Sequence, residues 1–117
     1  MLKSFVVTPV NGALNASGQS ATFDMDNAIN ILVHVNVTAV AGTTPTLDIK
    51  LQTSPDKGTT WFDHPDITFT QMTAVAKQTK SLRGATGRLG RFDYVIGGSA
   101  PSFTTRIDVQ CENPNKT

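Results

Sequence analysis

INILVHVNVTAVAGTTPTLDIKLQ, residues 29–52, holds the clearest hydrophobic alternation in the chain. Apolar and polar residues alternate over 29–39 and again over 47–52, which is the period of a β-strand with one buried face. Glycine and proline separate the two runs in AGTTP, residues 41–45. We therefore predict two strands joined as a hairpin, because glycine and proline at such a position are typical of turns.

The remaining sequence has the same β character. Seventeen residues are threonine and only Glu112 is glutamate, a composition that favours pleated, half-buried surface over helix. Further strands are predicted at 5–10, 21–25, 67–73, 78–82, 89–96 and 103–110. We expect residues 1–117 to form one all-β domain, a single antiparallel β-sandwich of about eight strands and of jelly-roll or immunoglobulin-like type.

An internal sequence similarity supports this layout. GTTPTLDIKL, which begins at Gly42, aligns with GSAPSFTTRI, which begins at Gly98, and the alignment places Pro45 over Pro101. The simplest interpretation is that two hairpins of the fold use the same turn chemistry. Two copies are too few for a solenoid.

The segment SPDKGTTW, residues 54–61, has the spacing of an Asp-box, a turn motif found in sialidases and other β-rich proteins. In such a turn the Asp56 carboxylate accepts backbone N–H bonds, Gly58 takes a conformation that disfavours other residues, and Trp61 packs back as an anchor. Together with Ser54 these residues have structural roles, so we predict no catalytic residue here and no enzyme. A small glycan hydrolase would need a paired acid and nucleophile among Asp56, Asp63, Asp66 and Asp93.

Composition narrows the range of partners. Ten Lys and Arg residues against nine acidic residues give a net charge of +1, which is too small a basic excess for a protein that binds through phosphate contacts. We expect no nucleic-acid partner, no membrane span, no metal and no cofactor. Cys111 is the single cysteine, so no disulfide can form within the chain. The first residues lack the pattern of a signal peptide, and we expect a product released in the cytoplasm.

One locally basic segment stands out. No acid lies between Asp66 and Asp93, and this interval holds five cations, Lys77, Lys80, Arg83, Arg88 and Arg91. Such a segment suits contact with an acidic partner. The alternative is a solvated edge strand whose positive charges discourage aggregation.

Three stretches together cover nearly the whole chain and carry a family resemblance. They are VTPVNGALNASGQSATFDMD (7–26), VNVTAVAGTTPTLDIKLQTSPDKGTTWFDHPDITFTQMTAV (35–75) and KSLRGATGRLGRFDYVIGGSAPSFTTRIDV (80–109). The sequence resembles small β-sandwich structural proteins of tailed bacteriophages, most closely the decoration or cement proteins on the outside of the capsid. The resemblance implies a non-enzymatic virion protein on the capsid surface that binds the major capsid protein and assembles as a homo-oligomer such as a trimer.

Several segments are candidates for capsid or subunit contacts. They are the five cations, the turns at 42–46 and 98–102, and the N-terminal residues 1–20, which we expect to form a pliable arm because Asn, Gly and Ser recur there. A rival hypothesis is a tail or neck component, such as a carbohydrate-binding module for host recognition. That function would require an exposed aromatic platform made of Trp61, Phe62, His64 and Tyr94.

Overall fold

The computed structural model describes residues 3–83 and 87–113, and this part of the chain contains seven β-strands and no helix. The strands are β1 (Lys3–Leu14), β2 (Gly18–Gln19), β3 (Phe23–Asp24), β4 (Asn30–Ser54), β5 (Phe62–Thr68), β6 (Ala76–Arg83) and β7 (Leu89–Asn113). Every strand pair is antiparallel, and the strands form one curled sheet. The predicted all-β antiparallel class is confirmed, whereas the β-sandwich and its jelly-roll or immunoglobulin-like type stay predictions. Within the described residues, no helix is long and apolar enough to cross a membrane.

Two 25-residue strands, β4 and β7, form a long ribbon at the centre of the sheet. They pair from Asn30 opposite Glu112 to Ser54 opposite Leu89. A straight strand of this length would extend about 80 Å at the usual rise per residue. Because the longest dimension of the molecule is 48 Å, the ribbon must bend along its length.

The predicted hairpin between 29–39 and 47–52 is wrong. Both runs belong to β4, which passes through the glycine–proline segment without reversing. The same correction applies to 89–96 and 103–110, which are both parts of β7. The register of the β4–β7 pair shifts between Ala41 and Thr43 and again between Thr43 and Thr46, so the segment forms an irregular, bulged section of the ribbon.

The bulged section explains why the sequence resembled a turn. Gly42 and Thr44 have φ of 109° and 47°, and Gly98 and Ala100 on the facing strand have φ of 106° and 49°. Bulges and tight turns both use left-handed backbone conformations, so both favour glycine. The sequence pattern identified the unusual conformation but did not distinguish a bulge from a reversal.

The other strands flank the ribbon on its two sides. β6 pairs with β4 from Asn30 to Val37, and β5 pairs with β4 at Lys50, Gln52 and Thr53. On the opposite side, β1 pairs with β7 over 103–113, and β2 and β3 pair with β7 over 89–94. Each part of the ribbon, before and after the bulge, therefore has a flanking strand on both sides.

One hydrophobic core lies against the inner face of the ribbon. The alternation predicted in β4 is confirmed at Val33, Val35 and Val37 before the bulge and at Leu47, Ile49 and Leu51 after it, all of which are buried. Burial of an aliphatic side chain of this size contributes about 1.5–3 kcal/mol, so the ribbon supplies much of the folding free energy. The alternation predicted over 29–39 places Ala39 on the same face as Val37, but Ala39 is exposed because the register shifts between these two residues.

The N-terminal segment differs from the pliable arm predicted for residues 1–20. Residues 3–14 form β1, which pairs with β7 from Lys3 opposite Asn113 to Leu14 opposite Phe103. Phe5 and Val7 alternate toward the core and pack against it. These apolar residues hold the segment in the sheet, whereas the prediction rested on its Asn, Gly and Ser content.

Candidate functional site

The turn between β4 and β5 is built around two side chains, Ser54 and Asp56. The Asp56 carboxylate accepts hydrogen bonds from the Thr60 backbone N–H at 2.7 Å and from the Ser54 hydroxyl at 2.9 Å. The Ser54 oxygen also accepts the Gly58 N–H at 2.8 Å. The Thr60 N–H is the main reason that the pKa of Asp56 lies below its ordinary value, because the bond stabilises the ionised form.

Backbone conformation and the tryptophan complete this turn. Lys57 and Gly58 have φ of 62° and 95°, so two successive residues are left-handed. The Trp61 indole N–H donates to the Gly58 carbonyl at 3.1 Å. These contacts agree with the structural roles that the Asp-box spacing assigns to Asp56, Gly58 and Trp61. We call residues 54–61 the Asp-box turn.

Arg91 joins the Asp-box turn to the sheet. Its guanidinium lies 4.3 Å from the centroid of the Trp61 ring, which is cation–π geometry. Its Nε donates to the Gln52 side-chain oxygen at 2.8 Å. Sequence reasoning grouped Arg91 with the basic segment and did not predict this contact, because its partner lies thirty residues away and no local pattern links the two.

A row of polar side chains extends from Gln52 across the outer face of the sheet. Gln52 donates to Asp63 at 2.9 Å, and Lys50 forms an ion pair with the same carboxylate at 2.9 Å. Lys50 also lies 4.0 Å from Asp93, which accepts a bond from Gln19 at 2.8 Å. The row crosses β5, β4, β7 and β2, so it ties the flanking strands to the ribbon.

The hydrogen bonds and the ion pair of this row stabilise the ionised forms of Asp63 and Lys50. The hydrogen bonds from Gln52 and then Lys50 hold the pKa of Asp63 below its ordinary value, and the bond to Asp63 is the main cause that raises the pKa of Lys50. A catalytic general acid near neutral pH needs the opposite, a carboxyl with a raised pKa. Neither Asp56 nor Asp63 has that property, and Asp66 lies further along β5, where its backbone N–H bonds the His64 ring at 3.2 Å.

The residues of the hypothetical aromatic platform are divided between β5 and the ribbon strand β7, which is not adjacent to β5. Trp61, Phe62 and His64 lie at or next to β5, whereas Tyr94 is on β7 opposite Gly18 of β2. Since β4 lies between β5 and β7, Tyr94 is two strand spacings, about 10 Å, from the residues at β5. Phe62 is 57% exposed, but Arg91 covers one face of Trp61.

The five cations of the basic segment also separate into two groups. Lys77, Lys80 and Arg83 are on β6, opposite Asn36, Val33 and Asn30 of β4. The other two, Arg88 and Arg91, are engaged within the chain. Arg88 forms an ion pair with Asp24 at 3.2 Å, and Arg91 stacks on Trp61. Among the ion pairs between described residues, none involves a cation of β6.

The two similar segments identified in the sequence lie side by side at the bend. Thr43 pairs with Ser99, and residues 41–44 and 98–100 are exposed. The backbones are so close that a Cβ at Gly42 would lie 2.8 Å from Pro101 Cα, and one at Gly98 would lie 2.9 Å from Pro45 Cα. The candidate contact segments 42–46 and 98–102 therefore form one uncharged ridge, which we call the bend ridge.

Cys111 is in the core, opposite Phe5 of β1 and Ile31 of β4. Burial is the main cause that raises the pKa of its thiol to about 11, so the thiol is protonated at neutral pH. In the part of the chain that the structure describes, no three His, Cys, Asp or Glu side chains cluster closely enough to hold a metal ion.

Comparison with known proteins gives information on the fold alone. No protein-family model and no curated protein matches the chain. The SPBc2 prophage-derived protein YomS has a similar structure with a TM-score of 0.58 at 9% identity, over 97% of this chain and 96% of that one. A Bacillus endospore appendage pilus structure covers 97% of this chain and 88% of its own at 9% identity, with a TM-score of 0.43. The chain thus shares the fold of a small prophage-derived protein along nearly its full length.

Proposed function

We propose that this protein is a non-enzymatic structural component of a tailed-phage virion that binds the outside of the capsid as a decoration protein and stabilises the head. The observation that carries the proposal is the fold similarity to a prophage-derived protein over 97% of the chain. The sequence resemblance to small structural proteins of tailed phages points to the same class. The carboxylates of the Asp-box turn and the polar row add support, because both are engaged in hydrogen bonds that hold the fold together.

The architecture has the mechanical properties that such a function requires. A single core is shared by both parts of the bent ribbon, and the polar row ties β5 and β2 to that ribbon. A decoration protein must keep its shape without disulfides, and packing of this kind provides that rigidity. Many copies on a symmetric shell then convert a weak contact per copy into a stable coat.

The exposed cations of β6 are the best candidate for the capsid contact. Lys77 and Arg83 are exposed and lie on the outer side of an edge strand, with no acid in the strand itself. Arg88 and Arg91 are already engaged, so their charges are less available to a partner. We therefore place the contact with an acidic surface of the major capsid protein at β6, and a contact between copies, in a trimer or other homo-oligomer, at the bend ridge.

The test is cosedimentation of the purified protein with phage heads that lack it, over a salt series, with heat stability of the heads measured in parallel. Saturable binding at a fixed ratio to the major capsid protein and heads that survive a higher temperature are expected. Lys77→Glu should weaken binding and its salt dependence, because β6 then repels an acidic surface. Lys57→Glu makes the same charge change in the Asp-box turn and should bind like the unmodified protein.

Absence of binding to heads at any salt concentration would overturn the proposal. Binding to isolated tails, or to a glycan array, would instead favour the neck, tail or carbohydrate-binding hypothesis. Equal loss of binding in Lys57→Glu and Lys77→Glu would show that β6 is not the contact.

A further inference from the structure

The chain divides into two halves, which we define as residues 3–54 with β1 to β4 and residues 62–113 with β5 to β7. Every ladder among the described strands joins one half to the other. β1, β2 and β3 pair with β7, β5 and β6 pair with β4, and β4 pairs with β7. The isolated bridge between Leu47 and Met72 also connects the two halves.

The halves occupy equivalent places in the sheet. In the first half, β1 flanks the C-terminal part of β7, and in the second half β5 flanks the C-terminal part of β4. In the same way, β2 and β3 of the first half flank the N-terminal part of β7, and β6 of the second half flanks the N-terminal part of β4. The fold thus has the arrangement of two intertwined copies related by an approximate two-fold axis.

The backbone contacts at the bend ridge follow the same approximate two-fold relation. A Cβ at Gly42 would meet Ser99, Ala100 and Pro101, and a Cβ at Gly98 would meet Thr43, Thr44 and Pro45. A single offset of 56 residues relates each residue of one set to its counterpart in the other. Thr44 and Ala100, which this offset also relates, have φ of 47° and 49°. The approximate two-fold axis therefore passes through the bend ridge.

Each described strand finds its ladder partner in the other half and not in its own. A second copy of the chain carries the same edges in the same order, so it offers each half an identical set of partners. The Asp-box turn is the covalent link between the halves. We propose that two copies of this protein exchange halves to form an intertwined dimer, and that the Asp-box turn is the hinge that favours the monomer.

The hinge contacts explain the preference for the monomer. The chain reverses between Thr53 and Phe62, which pair directly. The bonds of Asp56, the Trp61 bond to Gly58 and the Arg91 stacking on Trp61 all depend on this closed turn. The dimer keeps every ladder and loses only these contacts, so removing the turn should shift the equilibrium toward it. This inference is independent of the proposed virion function.

The test is a full chain from which residues 55–61 are deleted. One residue, Ser54, would then separate the paired Thr53 and Phe62, whereas the tightest hairpins need two. Light scattering coupled to size exclusion should give twice the mass of one shortened chain, which is itself slightly lighter than the 12.5 kDa full-length chain. Deletion of Asn15 and Ala16, exposed residues in a connection within the first half, is the control and should leave a monomer.

A disulfide trap shows which halves are paired. His34 and Thr79 are exposed cross-strand neighbours in different halves. The double substitution His34→Cys and Thr79→Cys should give a crosslink within one chain at full length and a covalent dimer after the deletion. A folded, monomeric deletion variant with a crosslink within one chain would overturn the proposal.

If the deletion variant does not fold, the full-length double-cysteine protein is refolded at increasing protein concentration. A rising fraction of covalent dimer is the expected result, because exchange competes with closure within one chain. Crosslinks confined to single chains at every concentration would overturn the proposal. The full-length chain cleaved at a protease site inserted between Lys57 and Gly58 should also remain one complex, and separation of the two fragments under native conditions would contradict the intertwined arrangement.

Discussion

The two halves agree at the bend and differ at their outer edges. Both place a glycine–proline segment at the bend ridge with nearly equal φ angles. At the flanks, the second half has an eight-residue strand with three cations, β6, where the first half has two strands of two residues each. The comparison shows which part of the fold is fixed by geometry. The close backbone approach at the bend admits few residues, whereas the exposed flanking strands are free to differ in length and charge.

The largest expected effect tests the equivalence of the two bends. Gly42→Ala and Gly98→Ala each put a Cβ within 3 Å of facing backbone at a left-handed φ, so each should destabilise the fold by about 3–5 kcal/mol. Gly18→Ala, where the nearest atom is 3.5 Å away, is the control and should cost less than about 1 kcal/mol. Chemical denaturation measures all three. A large loss of stability in only one of the two bend variants would show that the two bend segments are not equivalent.

The next effect tests whether the halves share one core. The 56-residue offset relates Leu51 of β4 to Ile107 of β7, and both are fully buried. Truncation of either to alanine should cost about 3 kcal/mol. Both variants should still unfold in a single transition with an unchanged denaturant slope. Two separate transitions in either variant would show that the halves are energetically independent.

A smaller effect concerns the Asp-box turn, which has no counterpart in the first half. Ser54 is buried and accepts the Gly58 N–H, so Ser54→Ala should cost about 1 kcal/mol. Thr59→Ala, at an exposed residue of the same turn, is the matched control. Thermal unfolding measures the difference between the two. Equal stability of both variants would mean that the serine bond does not hold the turn.

The smallest effect is the dependence of stability on pH. The pKa values of Asp56 and Asp63 are lowered in the folded protein, so their contribution is present above the ordinary value of 3.8 and is lost as the pH falls through the lowered folded values. The pKa of Lys50 is raised, so its contribution is present below 10.5 and is lost as the pH rises through the raised folded value. Asp63→Asn should reduce both dependences, which thermal unfolding across pH can measure. If the loss of stability at alkaline pH were the same in Asp63→Asn, the raised pKa of Lys50 would not depend on Asp63.

Sequence reasoning placed strands within β1, β4, β6 and β7 because alternation is a local signal, whereas the strand predicted at 67–73 overlaps β5 only at its end. The buried valines of β4 and the Asp-box turn were identified from spacing within a dozen residues. Connectivity was missed at the bend, since Gly42 and Pro45 suit a reversal as well as a bulge and only the distant partner Pro101 distinguishes them. The contacts of Arg91 and Lys50 were missed for the same reason. Their partners come from other strands, and side-chain pairing across a sheet leaves no pattern in a single sequence.

The buried thiol gives this protein a built-in reporter of its own motion. Cys111 is shielded by β1 on one side and β4 on the other, and its raised pKa keeps it unreactive at neutral pH. An alkylating reagent can label it only in molecules in which the neighbouring strands have separated. The chain has a single cysteine, so each labelling event corresponds to one opening event. Mass spectrometry of the labelled fraction against time would therefore measure how often the sheet opens.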